Sequence, residues 1–474
     1  MGVEPVTIYL MKKFLIGVAA TILAAFTAAA SNPPRYVFYF IGDGMGLGHV
    51  ASAQAYNRDV LKNKQPLLML QFPVAGVCST YSASSPVTDS AAAGTALSTG
   101  LKTRNGMLGV TPDSLPASSI ASELFNLGWG IGILTSVAPD DATPAAFYAH
   151  QPARQMFYEI GLDAARSGYD FIAGSNLRGT KDSAGKPTSL LDEMKRNGVD
   201  VVRGLEPLRQ SSSRRVLLLN TDSLNTNDIG YTIDSIPGVL TLPEMTRACL
   251  DHLQNNGHDR FFMMVEGGNI DHAAHANDGG AVIKEILNFN QAIAVAYDFY
   301  LLHPDETLIV ITADHDTGGM ALGNSFLKYD ANTRVYDHQR ISKDSFSAEC
   351  KAILKSRRVF TWSDMQQLLA EKLGFWNTLA LTDSETSSLH DAFVDTFQRH
   401  RAADEKTLYN SFNAFAVKVF KILNDHAGVG FTTASHAGNF VPVYAIGVGA
   451  ERFSGLNDNT DIPAKIRAIT AITN

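Results

Sequence analysis

A carboxylate and an imidazole stand four residues apart in Asp271-His272-Ala273-Ala274-His275. On a helix, positions i and i+4 share a face, so Asp271 and His275 could hold one metal ion. Asp314-His315 is a second acid–imidazole pair, and His436 in Ala434-Ser435-His436-Ala437-Gly438 could complete either set. Asp43 and Glu266 add hard oxygen donors; with the Thr143 hydroxyl they suit an octahedral Mg2+ that keeps several waters. Asp141-Ala142-Thr143-Pro144 also reads as an ordinary helix start, with Asp141 or Thr143 as N-cap and Pro144 at the first helical position. The nucleophile candidate is Ser90, in Val87-Thr88-Asp89-Ser90-Ala91-Ala92-Ala93-Gly94. A hydroxyl at a helix N-terminus faces unpaired N–H groups and the positive end of the dipole, a good place for phosphate. A plain N-cap before an Ala-rich helix would account for the same stretch without chemistry. No Gly-x-Ser-x-Gly elbow surrounds Ser90 and no Ser/His/Asp triad stands out, so its hydroxyl needs another activator, which a bound cation can supply.

Rigid elements must bring these groups together. Six short apolar runs, at 36–41, 131–134, 216–219, 261–265, 307–311 and 441–446, read as buried strands. Helical patterns such as 119–127 and 280–301 lie between them. This alternation predicts an α/β fold, a doubly wound, mostly parallel central sheet with helices on both faces. Three of the runs deliver acids at their carboxyl ends: Asp43 after the first, Glu266 and Asp271 after the fourth, Asp314-His315 after the fifth. In open α/β sheets that edge is where ligands bind. Turn polarity explains one such acid; it explains three, with Gly or His beside each, poorly. Gly94, Ser98, Thr99 and Gly100 keep the helix after Ser90 slim, so other groups can approach it. Two segments fall outside the alternation. Residues 179–213 read as loop-rich, and 325–431 as a largely helical insertion with amphipathic stretches at 363–373 and 406–423.

The 474 residues are 45% hydrophobic and 18% charged, enough for a large core. A net charge of −8 without a basic run speaks against a nucleic-acid-binding surface. Lys12 and Lys13 precede the apolar run 14–29, and Ala28-Ala29-Ala30 offers small residues for cleavage. This predicts a signal peptide over 1–30, with Met11 as a start and 1–10 as an upstream extension. The run is shorter than the roughly 20 residues a membrane span needs, so the mature chain 31–474 is expected to be periplasmic or secreted. Cys78, Cys249 and Cys350 form neither a disulfide framework nor a thiolate zinc motif.

Taken together these segments resemble the alkaline phosphatases, metal-dependent phosphomonoesterases. The resemblance rests on Ile41-Gly42-Asp43-Gly44-Met45-Gly46, Thr88-Asp89-Ser90-Ala91-Ala92, Asp141-Ala142-Thr143-Pro144-Ala145-Ala146, Val265-Glu266-Gly267, Asp271-x3-His275, Thr312-Ala313-Asp314-His315 and Ser435-His436, in family order. It also extends to the C-terminal stretch 449–462. It implies an alkaline-phosphatase-like catalytic domain over 31–474, two Zn2+ and one Mg2+. Asp271, His275 and His436 would hold the first zinc, Asp43, Asp314 and His315 the second, and Asp43, Thr143 and Glu266 the magnesium. Ser90 would be the nucleophile, passing through a phosphoserine intermediate. Ala149-His150 followed by Arg154 matches the family's phosphate-gripping arginine, whose planar fork suits phosphate, with Asp89 orienting it. Three divalent ions and Arg154 against four carboxylates and a Ser90 alkoxide leave a charge that matches a monoester dianion. The implied partners are small phosphate monoesters, inorganic phosphate and a second copy in a homodimer.

Some positions depart from bacterial members. His272 replaces a lysine found in some of them, and Asp316 follows His315 in a stretch where some carry a further histidine. Asp141 keeps the acidic choice found in some members near the magnesium. Such neighbours of the ligands tune pH optimum and metal preference rather than reaction class. Related phosphodiesterases and sulfatases usually place threonine or a modified residue at the nucleophile and lack the arginine. A non-catalytic binding protein would have lost Ser90, Arg154 or a zinc ligand.

Overall fold

The computed structural model describes residues 32–221, 230–356, 359–407 and 410–472; the predicted signal segment lies outside them. A ten-stranded sheet is built from Tyr36–Ile41 (β1), Val74–Ser79 (β2), Gly130–Thr135 (β3), Phe171–Ala173 (β4), Asp200–Arg203 (β5), Val216–Leu219 (β6), Phe261–Glu266 (β7), Thr307–Thr312 (β8), Val441–Gly447 (β9) and Gly455–Asp458 (β10). Its spatial order is β10-β2-β9-β8-β1-β7-β3-β4-β6-β5. The strands pair in parallel except β9, which is antiparallel to both β2 and β8. All six apolar runs form strands. The central ones, β1, β3, β7 and β8, are buried along nearly their whole length, which is why they read as unbroken apolar runs. Strands β2, β5 and β10 are only partly buried, and β4 is three residues long, so none of the four carries such a run.

The register aligns the carboxyl ends of the central strands. Thr135 of β3 pairs with Glu266 of β7, Glu266 with Ile41 of β1, and Ile41 with Thr312 of β8. The residues that follow therefore leave the sheet side by side. The helices around this edge are Leu47–Asp59 (α1), Ser90–Thr99 (α2), Ala142–Ala145 (α3), Asn269–His275 (α4) and Gly279–Leu302 (α5).

The insertion contains Lys343–Lys355 (α6), Trp362–Leu373 (α7), Asp383–Phe393 (α8) and Ala414–Ala427 (α9). The predicted helical stretch 406–423 needs correction. Glu405–Lys406 pairs antiparallel with Ser411–Phe412, and the Asn413 side chain accepts the Phe415 N–H, so α9 starts only at Ala414. The stretch 179–213 is also less irregular than predicted, holding Leu190–Arg196, β5 and Leu205–Gln210 between its breakers. Phe346, Phe415 and Phe420 of the insertion join the same hydrophobic cluster as the sheet, so the insertion buries its apolar face on the main core. Each such ring contributes about 1.5–3 kcal/mol of burial free energy. Among the described residues no helix is long and apolar enough to cross a membrane.

Candidate metal and phosphate site

Each candidate is delivered by a strand end or a helix beside it. Asp43 follows β1, and the chain then turns at Gly44, whose φ is +70°. A Cβ there would meet Thr317 Oγ1 at 2.8 Å and Asp271 Cα at 2.9 Å, so only glycine lets this turn lie against α4. The Gly44 N–H donates to Asp314 Oδ1 at 3.0 Å, tying the turn to the end of β8. Glu266 is the last residue of β7 and accepts the hydroxyl of its register partner Thr135. Asp271 and His275 share a face of α4, and Asp314-His315 directly follows β8. His436 arrives through a short antiparallel bridge to Thr317, five residues before β9.

Ser90 is the first residue of α2, but not its cap. The Asp89 carboxylate accepts the Ala92 N–H at 3.0 Å and does the capping, which leaves the Ser90 hydroxyl to point at His315 Nε2, 3.1 Å away. At Gly94 a Cβ would stand 3.2 Å from both Thr143 Cα and Ala146 Cβ, so the slim face of α2 is what lets α3 approach. Asp141 caps α3, placing Pro144 at the third helical position rather than the first. Its missing N–H costs nothing there, because first-turn N–H groups have no intrahelical acceptor.

The ligating atoms form two adjacent clusters. His275 Nε2 lies 3.4 Å from Asp271 Oδ1 and 3.0 Å from His436 Nε2; His436 Nε2 is 3.7 Å from Asp271 Oδ1. His315 Nε2 lies 3.1 Å from Asp314 Oδ2, 3.4 Å from Asp43 Oδ1 and 3.1 Å from Ser90 Oγ. Tetrahedral zinc with bonds of about 2.0–2.1 Å separates its ligand atoms by roughly 3.3 Å, and both sets match that spacing. The His315 and His436 rings stack with centroids 3.6 Å apart, so the clusters touch; by proximity alone His315 also groups with Asp271 and His436. Thr143 Oγ1 reaches Asp43 Oδ2 at 3.2 Å and Asp314 Oδ2 at 3.4 Å.

Hydrogen bonds behind the rings fix which nitrogen faces inward. His275 Nδ1 lies 2.7 Å from the Ala434 carbonyl and His436 Nδ1 lies 2.8 Å from the Thr88 carbonyl. A carbonyl only accepts, so both Nδ1 atoms donate, and in the neutral rings the two Nε2 lone pairs face each other at 3.0 Å. Thr317 donates its hydroxyl to Asp271 and so accepts from His315 Nδ1 at 3.1 Å, turning a third lone pair inward. With all three rings neutral, three Nε2 lone pairs face inward, an arrangement suited to binding metal. Asp43 Oδ1, buried and without a hydrogen-bond donor, fits it too.

The electrostatics of the metal-free chain carry the same message. Burial, reinforced by Asp314, Asp271 and Glu266, pushes the Asp43 carboxyl well above its ordinary range. Burial, with Asp141 adding to it, pushes Glu266 up to about 8 despite the Thr135 hydroxyl. Burial opposes ionisation of Asp271 and Asp314 as well, yet neighbouring histidines hold both below the usual range, with His275 the main influence on Asp271 and His315 on Asp314. Burial and then His315 push His436 down to about 4. A buried crowd of carboxylates of this kind calls for cations.

Arg154 reaches the site from beyond α3. Its Nη1 lies 3.4 Å from Asp89 Oδ2 and its Nη2 3.2 Å from Asp141 Oδ1, so two acids brace it from behind. His272 is buried on α4, where burial holds its imidazole below the ordinary value although Asp271 and Asp141 oppose this. Thr317, Thr135 and Arg178 also belong here and were not singled out from sequence. Thr135 had a signal in ending a strand like its partner Glu266. Thr317 had one in following the Asp-His pair, but only the fold reveals its two hydrogen bonds.

The family model described as alkaline phosphatase matches residues 34–182 and 175–472. Alkaline phosphatase 4 of Bacillus subtilis strain 168 is 30% identical over 438 residues, covering 90% of this chain and 87% of the relative. A cold-active alkaline phosphatase from the psychrophile Shewanella sp. superposes with a TM-score of 0.76 at 28% identity, covering 92% of this chain and 99% of the other. A variant of the alkaline phosphatase from the Antarctic bacterium TAB5, solved with Mg bound in its M3 site, gives 0.64 at 25% identity, covering 94% and 99%. The chain belongs to the alkaline phosphatase family, whose members are phosphoric monoester hydrolases.

Proposed function

We propose that this protein is an exported alkaline phosphatase that converts a phosphate monoester and water to an alcohol and inorganic phosphate through a phosphoserine at Ser90. The observation that carries the reading is the Ser90 hydroxyl, freed from capping by Asp89, at 3.1 Å from an inward-facing His315 nitrogen. The residues fit two zinc ions and one magnesium ion. Asp271, His275 and His436 would hold one zinc; Asp43, Asp314 and His315 the other; Asp43, Thr143 and Glu266 the magnesium. A substituted variant of the TAB5 relative was solved with Mg bound in its M3 site, which supports a magnesium in this fold. When bound, these ions supply charge and Lewis acidity at the reacting oxygens.

The chain's own groups do the rest. Ser90 Oγ attacks phosphorus, the alcohol oxygen leaves with a proton, and water then cleaves the phosphoserine. Arg154 donates two N–H groups to the phosphoryl oxygens while Asp89 and Asp141 hold its orientation. Phosphoryl transfer gains mainly from such positioning and charge. The catalytic domain spans 31–474 with the 325–431 insertion within it, the leader 1–30 directs export, and the working form is a homodimer.

Hydrolysis of an aryl phosphate monoester, followed before and after chelation, tests the reading. Activity should vanish on chelation and return with zinc and magnesium, and Ser90→Ala should lose at least ~10³-fold in kcat. Full activity after complete metal removal, or a wild-type rate in Ser90→Ala, would end it.

A further inference from the structure

We propose that Arg178 is a positioning residue for the phosphate grip: by sharing Asp141 with Arg154, it sets how tightly the site holds phosphate. The inference rests on the phosphatase reading above. Its basis is the adjacent pair Asp140-Asp141. Asp140 is fully buried and accepts the Arg178 N–H at 3.0 Å and the Gly179 N–H at 2.7 Å, which fixes the backbone of that turn. A Cβ at Gly179 would meet the Phe157 carbonyl oxygen at 2.5 Å, so the turn lies directly on the helix Phe157–Arg166 that follows Arg154. The Arg178 guanidinium then sits 5.4 Å from the centre of the Phe157 ring, with the side chain only 19% exposed.

Held this way, Arg178 Nη2 lies 3.0 Å from Asp141 Oδ2, while Asp141 Oδ1 faces Arg154 Nη2 at 3.2 Å and the Ala142 N–H at 2.8 Å. Each carboxylate oxygen thus serves a different guanidinium. Asp89, the other brace of Arg154, is already engaged by the Ala92 and Gly106 N–H groups. Two cations on one carboxylate divide its charge between them. Without Arg178 the whole Asp141 charge would fall on Arg154 and oppose the incoming phosphate.

The test uses metal-loaded, full-length protein and inorganic phosphate as a competitive inhibitor of aryl phosphate turnover. Arg178→Ala should raise the phosphate inhibition constant about tenfold, a screened fraction of the Coulomb change when one charge near a dianion loses its partner, and should change kcat by a smaller factor than that. Arg178→Lys should recover most of the affinity. In an Asp141→Asn background the same Arg178→Ala change should alter the inhibition constant less than about twofold, because the route through Asp141 is gone. An unchanged inhibition constant in Arg178→Ala, an equal effect in the Asp141→Asn background, or a fall in kcat and melting temperature without loss of phosphate affinity would each overturn the inference. A wild-type protein with no phosphate-inhibited turnover would remove the phosphatase reading itself, a failure distinct from these.

Discussion

Thr317→Val is the most searching test of the hydrogen bonds that aim the ligands. The substitution keeps the side-chain shape and removes one hydroxyl from a fully buried position. That hydroxyl donates to Asp271 and accepts from His315 Nδ1. Without it, the His315 N–H is left buried and unpaired, which costs about 1–3 kcal/mol. The Asp271 carboxylate loses a bond of the charged kind, about 1.5–3 kcal/mol, part of which relaxation recovers. His315 can then swap tautomer or rotate, so part of the loss falls on the bound state. Removing such a partner behind a ligand costs roughly 10–100-fold in metal affinity or activity. The assay is zinc titration of chelated protein, read as recovered kcat/KM, beside wild type. Zinc affinity and kcat/KM both within about threefold of wild type would refute the argument that Thr317 sets the tautomer.

Two further predictions follow from packing and titration. Gly94→Val should destabilise by about 1–3 kcal/mol and lower kcat/KM, because its side chain would force α2 away from Thr143 and Ala146; urea unfolding and kinetics check this, and wild-type values in both would contradict it. Burial pushes the Glu285 carboxyl up to about 7 although the Thr232 N–H donates to it at 2.6 Å. The folded state therefore keeps a proton that the unfolded chain releases near its ordinary value, so this contribution is intact at low pH and is lost as pH rises through about 7. Glu285→Gln should gain on wild type by up to about 3 kcal/mol between pH 4.5 and 8 in urea unfolding, and an equal difference at both pH values would rule this out.

Sequence was most informative where burial is complete. Strands β1, β7 and β8 are covered on both faces, so their composition marks them, and the acids at their ends stand out by contrast. Strands β2 and β10 lack that mark because only part of each is buried. At the site, residue types and spacing singled out side chains that the fold brings together, but that Asp89 rather than Ser90 caps α2 shows only in the Ala92 N–H on Asp89. Thr317 follows the Asp-His pair, but its bond to Asp271, like the contact of Arg178 with Asp141, joins residues distant along the chain and leaves no local pattern. The 406–423 misreading arose because amphipathic spacing does not show where a cap such as Asn413 begins a helix.

The reversed direction of β9 has a consequence for how the molecule comes to be active. Seven residues of strand span about 20 Å, so a β9 running with its neighbours would carry His436 to the far edge of the sheet. Entering against them, it sets His436 down beside Asp271 and His275. Asp43 and His436 thus come from opposite ends of the chain, and His436 reaches its place only once β9 has docked between β8 and β2. A chain still being made, or one trimmed at its C-terminus, lacks a corner of the site. Catalytic competence in this fold is a report that folding has reached its end.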